Sequence, residues 1–129
     1  MIIKSFQLNK IKLDNYKLFL FYGDNEGLKE ETIKNLFEKN YLEKIHRYEE
    51  KEILDNINDF FNSILTKSFF DNEKLIIINR ATDKIKETLE NLMEKKPEDI
   101  KIILNSKNLE KKSTLRKIFE KEKSIICVP

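Results

Sequence analysis

The residues best placed to do chemistry follow a short apolar run, residues 18–22 (LFLFY): Gly23, Asp24, Asn25, Glu26, Gly27, Leu28, Lys29 and Glu30. A strand, a glycine-bearing turn and a helix in that order frame a phosphate-binding loop of pattern G-x-x-x-x-G-K-[ST]. Its glycines let backbone amides face the phosphate, its lysine neutralises charge and its hydroxyl binds magnesium. In register from Gly23, Leu28 stands where the second glycine belongs, Lys29 falls on the lysine and Glu30 replaces the hydroxyl. A side chain therefore intrudes on the loop, and a carboxylate stands where phosphate charge must gather. A hydrolytic site also needs an acid at the end of a later strand to hold magnesium and orient water. Here residues 75–78 run into Asn79-Arg80 instead. With both motifs broken, Gly23 and Lys29 read as a degenerate nucleotide loop without function. A degenerate P-loop ATPase that still uses Lys29 is the alternative.

Other candidates resolve toward structure. A phosphorelay receiver needs an acidic pair after its first strand and an aspartate after its third. Asp24 has no acid beside it, and the third strand ends in Asn79. His46 is the single histidine, and one imidazole without convergent ligands makes no metal site. Cys127, the single cysteine, lies in an apolar segment and reads as a small buried hydrophobe. The acids in Glu49-Glu50-Lys51-Glu52 suit a solvated helix start. No metal and no cofactor are expected.

The elements that must position these residues alternate along the chain. Strands are expected over residues 18–22, 43–48, 74–79, 100–105 and 124–128, the second at a sheet edge. Helices are expected over residues 26–39, 52–65, 83–95 and 109–121, with Asp24 or Asn25 capping the first and Pro97 stopping the third. Residues 1–4 fit a strand, and residues 6–13 fit either period. Five strands alternating with helices predict an α/β fold: a five-stranded, mostly parallel sheet with helices on both faces, a P-loop-like, three-layer domain.

Composition narrows the partners. The 129 residues are 40% hydrophobic, enough for one ordinary core. The 25 Lys and Arg against 23 Asp and Glu leave +2, too little for a protein that coats nucleic acid. The 22 Lys, 18 Ile and 13 Asn against one Ala point to A- and T-rich codons, so the lysine content is discounted as a sign of an anionic partner. Residues 107–123 nevertheless hold seven Lys or Arg and three Glu, a local +4, which reads as a solvated face or a contact for an acidic partner. One cysteine excludes a disulfide framework and a cysteine-based zinc site. The longest apolar runs are too short to span a membrane. The N-terminus carries no secretory pattern, so a cytoplasmic location is expected.

Three stretches together resemble the delta subunit of bacterial DNA polymerase III, the clamp-loader subunit that opens the sliding clamp. Leu20-Phe21-Tyr22-Gly23-Asp24-Asn25-Glu26-Gly27-Leu28 is similar to the family's "YGxDEGL". Ser68-Phe69-Phe70-Asp71-Asn72-Glu73-Lys74-Leu75-Ile76-Ile77-Ile78 is similar to "SLFxxxRLVVL". Leu104-Asn105-Ser106-Lys107-Asn108-Leu109-Glu110-Lys111-Lys112-Ser113 is similar to the stretch around "L-D-K-R-S-K-L". The resemblance covers essentially the whole chain. It implies an AAA+-like (RecA-like) first domain over residues 1–129 that neither binds nor hydrolyses ATP, from a longer protein whose second and collar domains lie beyond. It implies that Phe69 and Phe70, with Ser68 capping, enter a hydrophobic pocket on the clamp; the alternative is that one or both rings cap the sheet as core. It also implies as partners the beta sliding clamp and, through the longer chain, the gamma/tau and delta prime subunits. DNA contact would be indirect, and polymerisation would belong to another subunit of the holoenzyme. The sequence departs from the family in one place. Clamp-binding peptides often carry Gln a few residues upstream, where this chain has Leu65, Thr66 and Lys67. The delta prime subunit usually carries a cysteine-rich zinc module in this domain, which one cysteine cannot supply.

Overall fold

β-Branched and aromatic runs bury well on both faces of a pleated sheet, and here they form its centre. In the computed structural model the residues described are 2–4, 16–38, 41, 45–65, 74–95, 100–107 and 124–128. The strands are β1 (Ile2–Lys4), β2 (Leu18–Phe21), β3 (Ile45–Glu49), β4 (Lys74–Asn79), β5 (Ile100–Asn105) and β6 (Ser124–Val128). They form one six-stranded sheet in the order β1-β6-β2-β5-β4-β3. Every pairing is parallel. The expected five-stranded, mostly parallel sheet is thus corrected to six strands, all parallel. The sixth strand is β1, within the residues 1–4 that fit a strand, and it pairs with β6 so that Ile2 lies opposite Ile126. Three residues are too few to show a period, and pairing defines this strand. β3 stands at an edge, as expected.

The alternation of side chains sorts the core into two layers. Leu18 and Leu20 of β2 join Ile76, Ile78, Ile102 and Leu104 on one face. Phe19 and Phe21 join Leu75, Ile77 and Ile103 on the other. Helix α1 (Glu26–Ile33) and the π-helical turn that continues it (Lys34–Glu38) cover the phenylalanine face through Ile33 and Phe37. Phe37 meets Phe19 edge-on at 4.8 Å between ring centroids. Asn25 caps α1, its side-chain oxygen accepting from the Leu28 N–H at 3.0 Å.

The leucine face carries α2 (Glu50–Asp55), α3 (Ile57–Leu65) and α4 (Lys86–Glu94) through Ile53, Phe60, Ile64, Leu89 and Leu92. Helices therefore lie on both faces. A single helix is expected over residues 52–65, but Asn56 divides it, with φ −151° and its side-chain oxygen accepting from the Asp59 N–H at 3.4 Å. The apolar spacing runs unbroken from Ile53 through Ile57 to Phe60, so periodicity alone does not reveal the cap. A 3₁₀ turn (Asp83–Ile85) leads into α4, with the Thr82 hydroxyl accepting from the Lys84 N–H at 3.3 Å. The helix expected over residues 109–121 and the stop at Pro97 lie outside the described residues.

Candidate functional site

Parallel strands deliver their last residues to one end of the sheet. β3, β4 and β5 end in register on Glu49, Asn79 and Asn105, and Phe21 of β2 lies beside Asn105. Equal register places these side chains on one face, the face of Ile77, Ile103 and α1. Carboxyl-end crevices of this kind are the usual ligand sites of open α/β sheets.

The two residues of the degenerate loop lie here. Gly23 has φ 123°, a conformation an L side chain rarely adopts, and its N–H points to the Lys107 carbonyl at 3.4 Å. Lys29 lies on α1 and is only 4% exposed. Its Nζ donates to Glu26 Oε1 at 2.7 Å and to the Ser106 carbonyl at 2.7 Å. The ammonium is thus engaged inside the protein, tying α1 to the end of β5. Glu26 is 49% exposed. Its bond from Lys29 holds its carboxyl below the ordinary value of 4.5 against the opposing effect of burial; the Lys29 charge, the Asn105 amide and the Lys107 charge lower it further. Asn105 Nδ2 donates to Asn79 Oδ1 at 3.3 Å and reaches Glu26 Oε2 at 3.5 Å.

Above this row opens a cleft of about 420 Å³ lined by Glu26, Glu30, Glu49, Asn79, Arg80, Asn105 and Lys107. Glu30, expected in place of the magnesium-binding hydroxyl, is on its wall. Three carboxylates face two cations there, a balance that opposes a triphosphate. The buried Asn105 Oδ1, Ser106 Oγ and Glu49 Oε2 have no hydrogen-bond partner.

At the rim, Arg80 has φ 56°, and among the described residues it is the one non-glycine with positive φ. The turn it makes is fixed on both sides. The Ala81 N–H donates to the Asn105 carbonyl at 3.1 Å, and the Thr82 N–H donates to Glu50 Oε2. The Thr82 hydroxyl donates to Glu50 Oε1 at 2.7 Å. Glu50 is 6% exposed, so the expectation of a solvated acid is corrected for this residue: its carboxylate stitches α2 to the β4–α4 turn. Glu52 does act at the helix start, accepting from the Glu49 N–H at 3.2 Å.

Ser68, Phe69 and Phe70 lie outside the described residues. The two ends of their connection are described: Leu65 closes α3, and Lys74 opens β4 at the amino end of the sheet. His46 lies on the edge strand β3, half-buried, and Cys127 lies in β6. Sequence reasoning named Glu26 without its role, and missed the parts played by Asn105, Ser106 and the Glu50–Thr82 pair. Only the first left a signal, an acid three residues before Lys29 on the same helix. Among the described residues, no cluster of three or more His, Cys, Asp or Glu could hold a metal ion, and no helix is long and apolar enough to cross a membrane.

No individual curated protein sequence matches the chain significantly. Among solved structures, the DNA clamp loader delta protein of Bacillus subtilis matches with a TM-score of 0.68 at 15% sequence identity, over 95% of this chain and 40% of that one. At that identity the likeness carries the fold, and the chain spans 40% of the length of that protein. The family model of the DNA polymerase III delta subunit matches residues 19–128, which takes in β2 from Phe19, all of β3 through β6 and every residue of the strand-end row. The chain belongs to the DNA polymerase III delta subunit family.

Proposed function

We propose that this chain is the clamp-binding domain of a clamp-loader delta subunit. It contributes to DNA replication by binding energy and hydrolyses no ATP of its own. The scaffold is AAA+-like, with the turn after β2 and helix α1 standing where a phosphate loop and its helix would stand. The observation that carries the reading is the fate of Lys29. A phosphate-loop lysine must offer its ammonium to the nucleotide, whereas this one is buried and bonded to Glu26 and the Ser106 carbonyl. Releasing it for phosphate would break both bonds and leave Glu26 facing a polyanion. The rival ATPase reading requires that release.

In this proposal Phe69 and Phe70 are the anchors, with Ser68 as the local cap, and the beta sliding clamp is the partner. Burying one exposed Phe contributes roughly 1.5–3 kcal/mol, and aromatic anchors tend to dominate such interfaces. Two anchors could hold one edge of the ring and favour its open form. Partner ATPase subunits, gamma/tau with delta prime, would govern access to them through the longer chain, and DNA would be met only through the assembly. The test is binding to surface-immobilised clamp by the parent and by the variant with Phe69→Ala and Phe70→Ala. Loss of binding with an unchanged circular dichroism spectrum is expected. Unchanged affinity would remove the site assignment, and a collapsed spectrum would place the rings in the core.

A further inference from the structure

We infer that Arg80 is an interaction residue, a guanidinium held out at the carboxyl end of the sheet for a carboxylate of a neighbouring protein subunit. The inference rests on the clamp-loader reading and adds a second contact surface to it. The turn at residue 80 needs a left-handed backbone, because the next two N–H groups are committed to the Asn105 carbonyl and to Glu50. Glycine meets that need without strain, and an L residue with a Cβ does not. Arginine occupies the position with φ 56°, and its side chain is 84% exposed, so packing does not offset the strain. Among the described residues its one ion pair, to Glu49 Oε2, is 3.6 Å long, well beyond a charge-assisted hydrogen bond. Most of a five-donor fork is therefore left to solvent, at a backbone position that disfavours it. Strain of this kind, unrelieved locally, is a mark of function.

The surroundings identify the partner. Arg80 stands between two clefts, one bordered by Lys84 and the other by Lys107. Carboxylates of Glu26, Glu30, Glu49 and Glu52 interleave with these cations. A nucleic-acid backbone would be repelled by that mixture, while a protein surface of mixed charge fits it. β4 begins at Lys74, where the connection from α3 ends, and Arg80 follows its other end, six residues along or roughly 20 Å away. Arg is the side chain whose planar fork grips a carboxylate in two places.

The test uses the full chain and its clamp-loader partner subunits, comparing the parent with Arg80→Gly, Arg80→Ala and Arg80→Lys by titration calorimetry and thermal melting. Arg80→Gly relieves the strain and removes the fork, so it should melt no lower than the parent, and about 3–6 °C above Arg80→Ala. Both should nevertheless bind the subunits at least tenfold more weakly, with Arg80→Lys between them and the parent, and clamp affinity unchanged in all. Parent-like subunit affinity in Arg80→Gly would overturn this inference alone. So would a loss confined to the clamp or to DNA. A parent that fails to join the subunits would overturn the clamp-loader reading itself.

Discussion

Replacing Lys29 by Met separates a structural tie from a nucleotide ligand. The aliphatic stem is kept and the ammonium lost. Two hydrogen bonds of 2.7 Å disappear, and the two acceptors left behind respond differently. The Ser106 carbonyl lies in a residue 1% exposed, so its lost partner is not replaced by water, at a cost of about 1–3 kcal/mol. Glu26 is 49% exposed and rehydrates, so its share is at most about 1 kcal/mol. Against these stands the relief of no longer burying an ammonium in a residue 4% exposed. The net expectation is a loss of about 1–3 kcal/mol, or roughly 3–12 °C in melting temperature for a domain of this size. Thermal melts of parent and variant, each with and without magnesium-ATP, read the result. The parent should melt at the same temperature with nucleotide as without, and the variant lower in both conditions. An undisturbed melting temperature in Lys29→Met would refute the tie. A nucleotide-dependent rise in the parent that the variant loses would restore Lys29 as a phosphate ligand.

The same end of the sheet gives two more expected outcomes. The carboxyl of Glu26 is held below its ordinary value of 4.5, so it contributes stability that is present above that value and fades as pH falls through the lowered folded value. Glu26→Gln should flatten this acid limb in urea midpoints compared between pH 6 and pH 3. Glu50→Ala leaves the Thr82 N–H and hydroxyl without their acceptor and should cost roughly 2–3 kcal/mol by urea denaturation, with Glu50→Gln costing less because its amide oxygen still accepts.

The sheet was legible because its strands carry the pattern that burial requires. Residues 74–79 and 100–105 read as strands from their β-branched cores, and they pair as β4 and β5, both interior strands of the sheet. The edge strand β3 and the last strand β6 were legible too, and the first strand was less so. β1 depends on a partner more than 120 residues away, Ile2 opposite Ile126, and no local period announces it. The break at Asn56 was hidden because capping there is a matter of side-chain hydrogen bonds, while the apolar spacing continues across it. At the strand ends the sequence showed that the phosphate loop was broken, from Leu28 and Glu30. It did not show what Lys29 does instead, since its partner Ser106 is 77 residues distant. Glu50 was misread for the same reason: nothing near it in the chain foretells Thr82, 32 residues on.

The central claim is that this domain grips a clamp without a nucleotide of its own. Titration of the sliding clamp into the chain by calorimetry, without nucleotide and with saturating magnesium-ATP, tests it most directly. The account predicts one and the same affinity under both conditions and no heat from ATP added to the chain alone. Clamp binding that appears only with ATP, or micromolar magnesium-dependent binding of ATP to the chain, would contradict it.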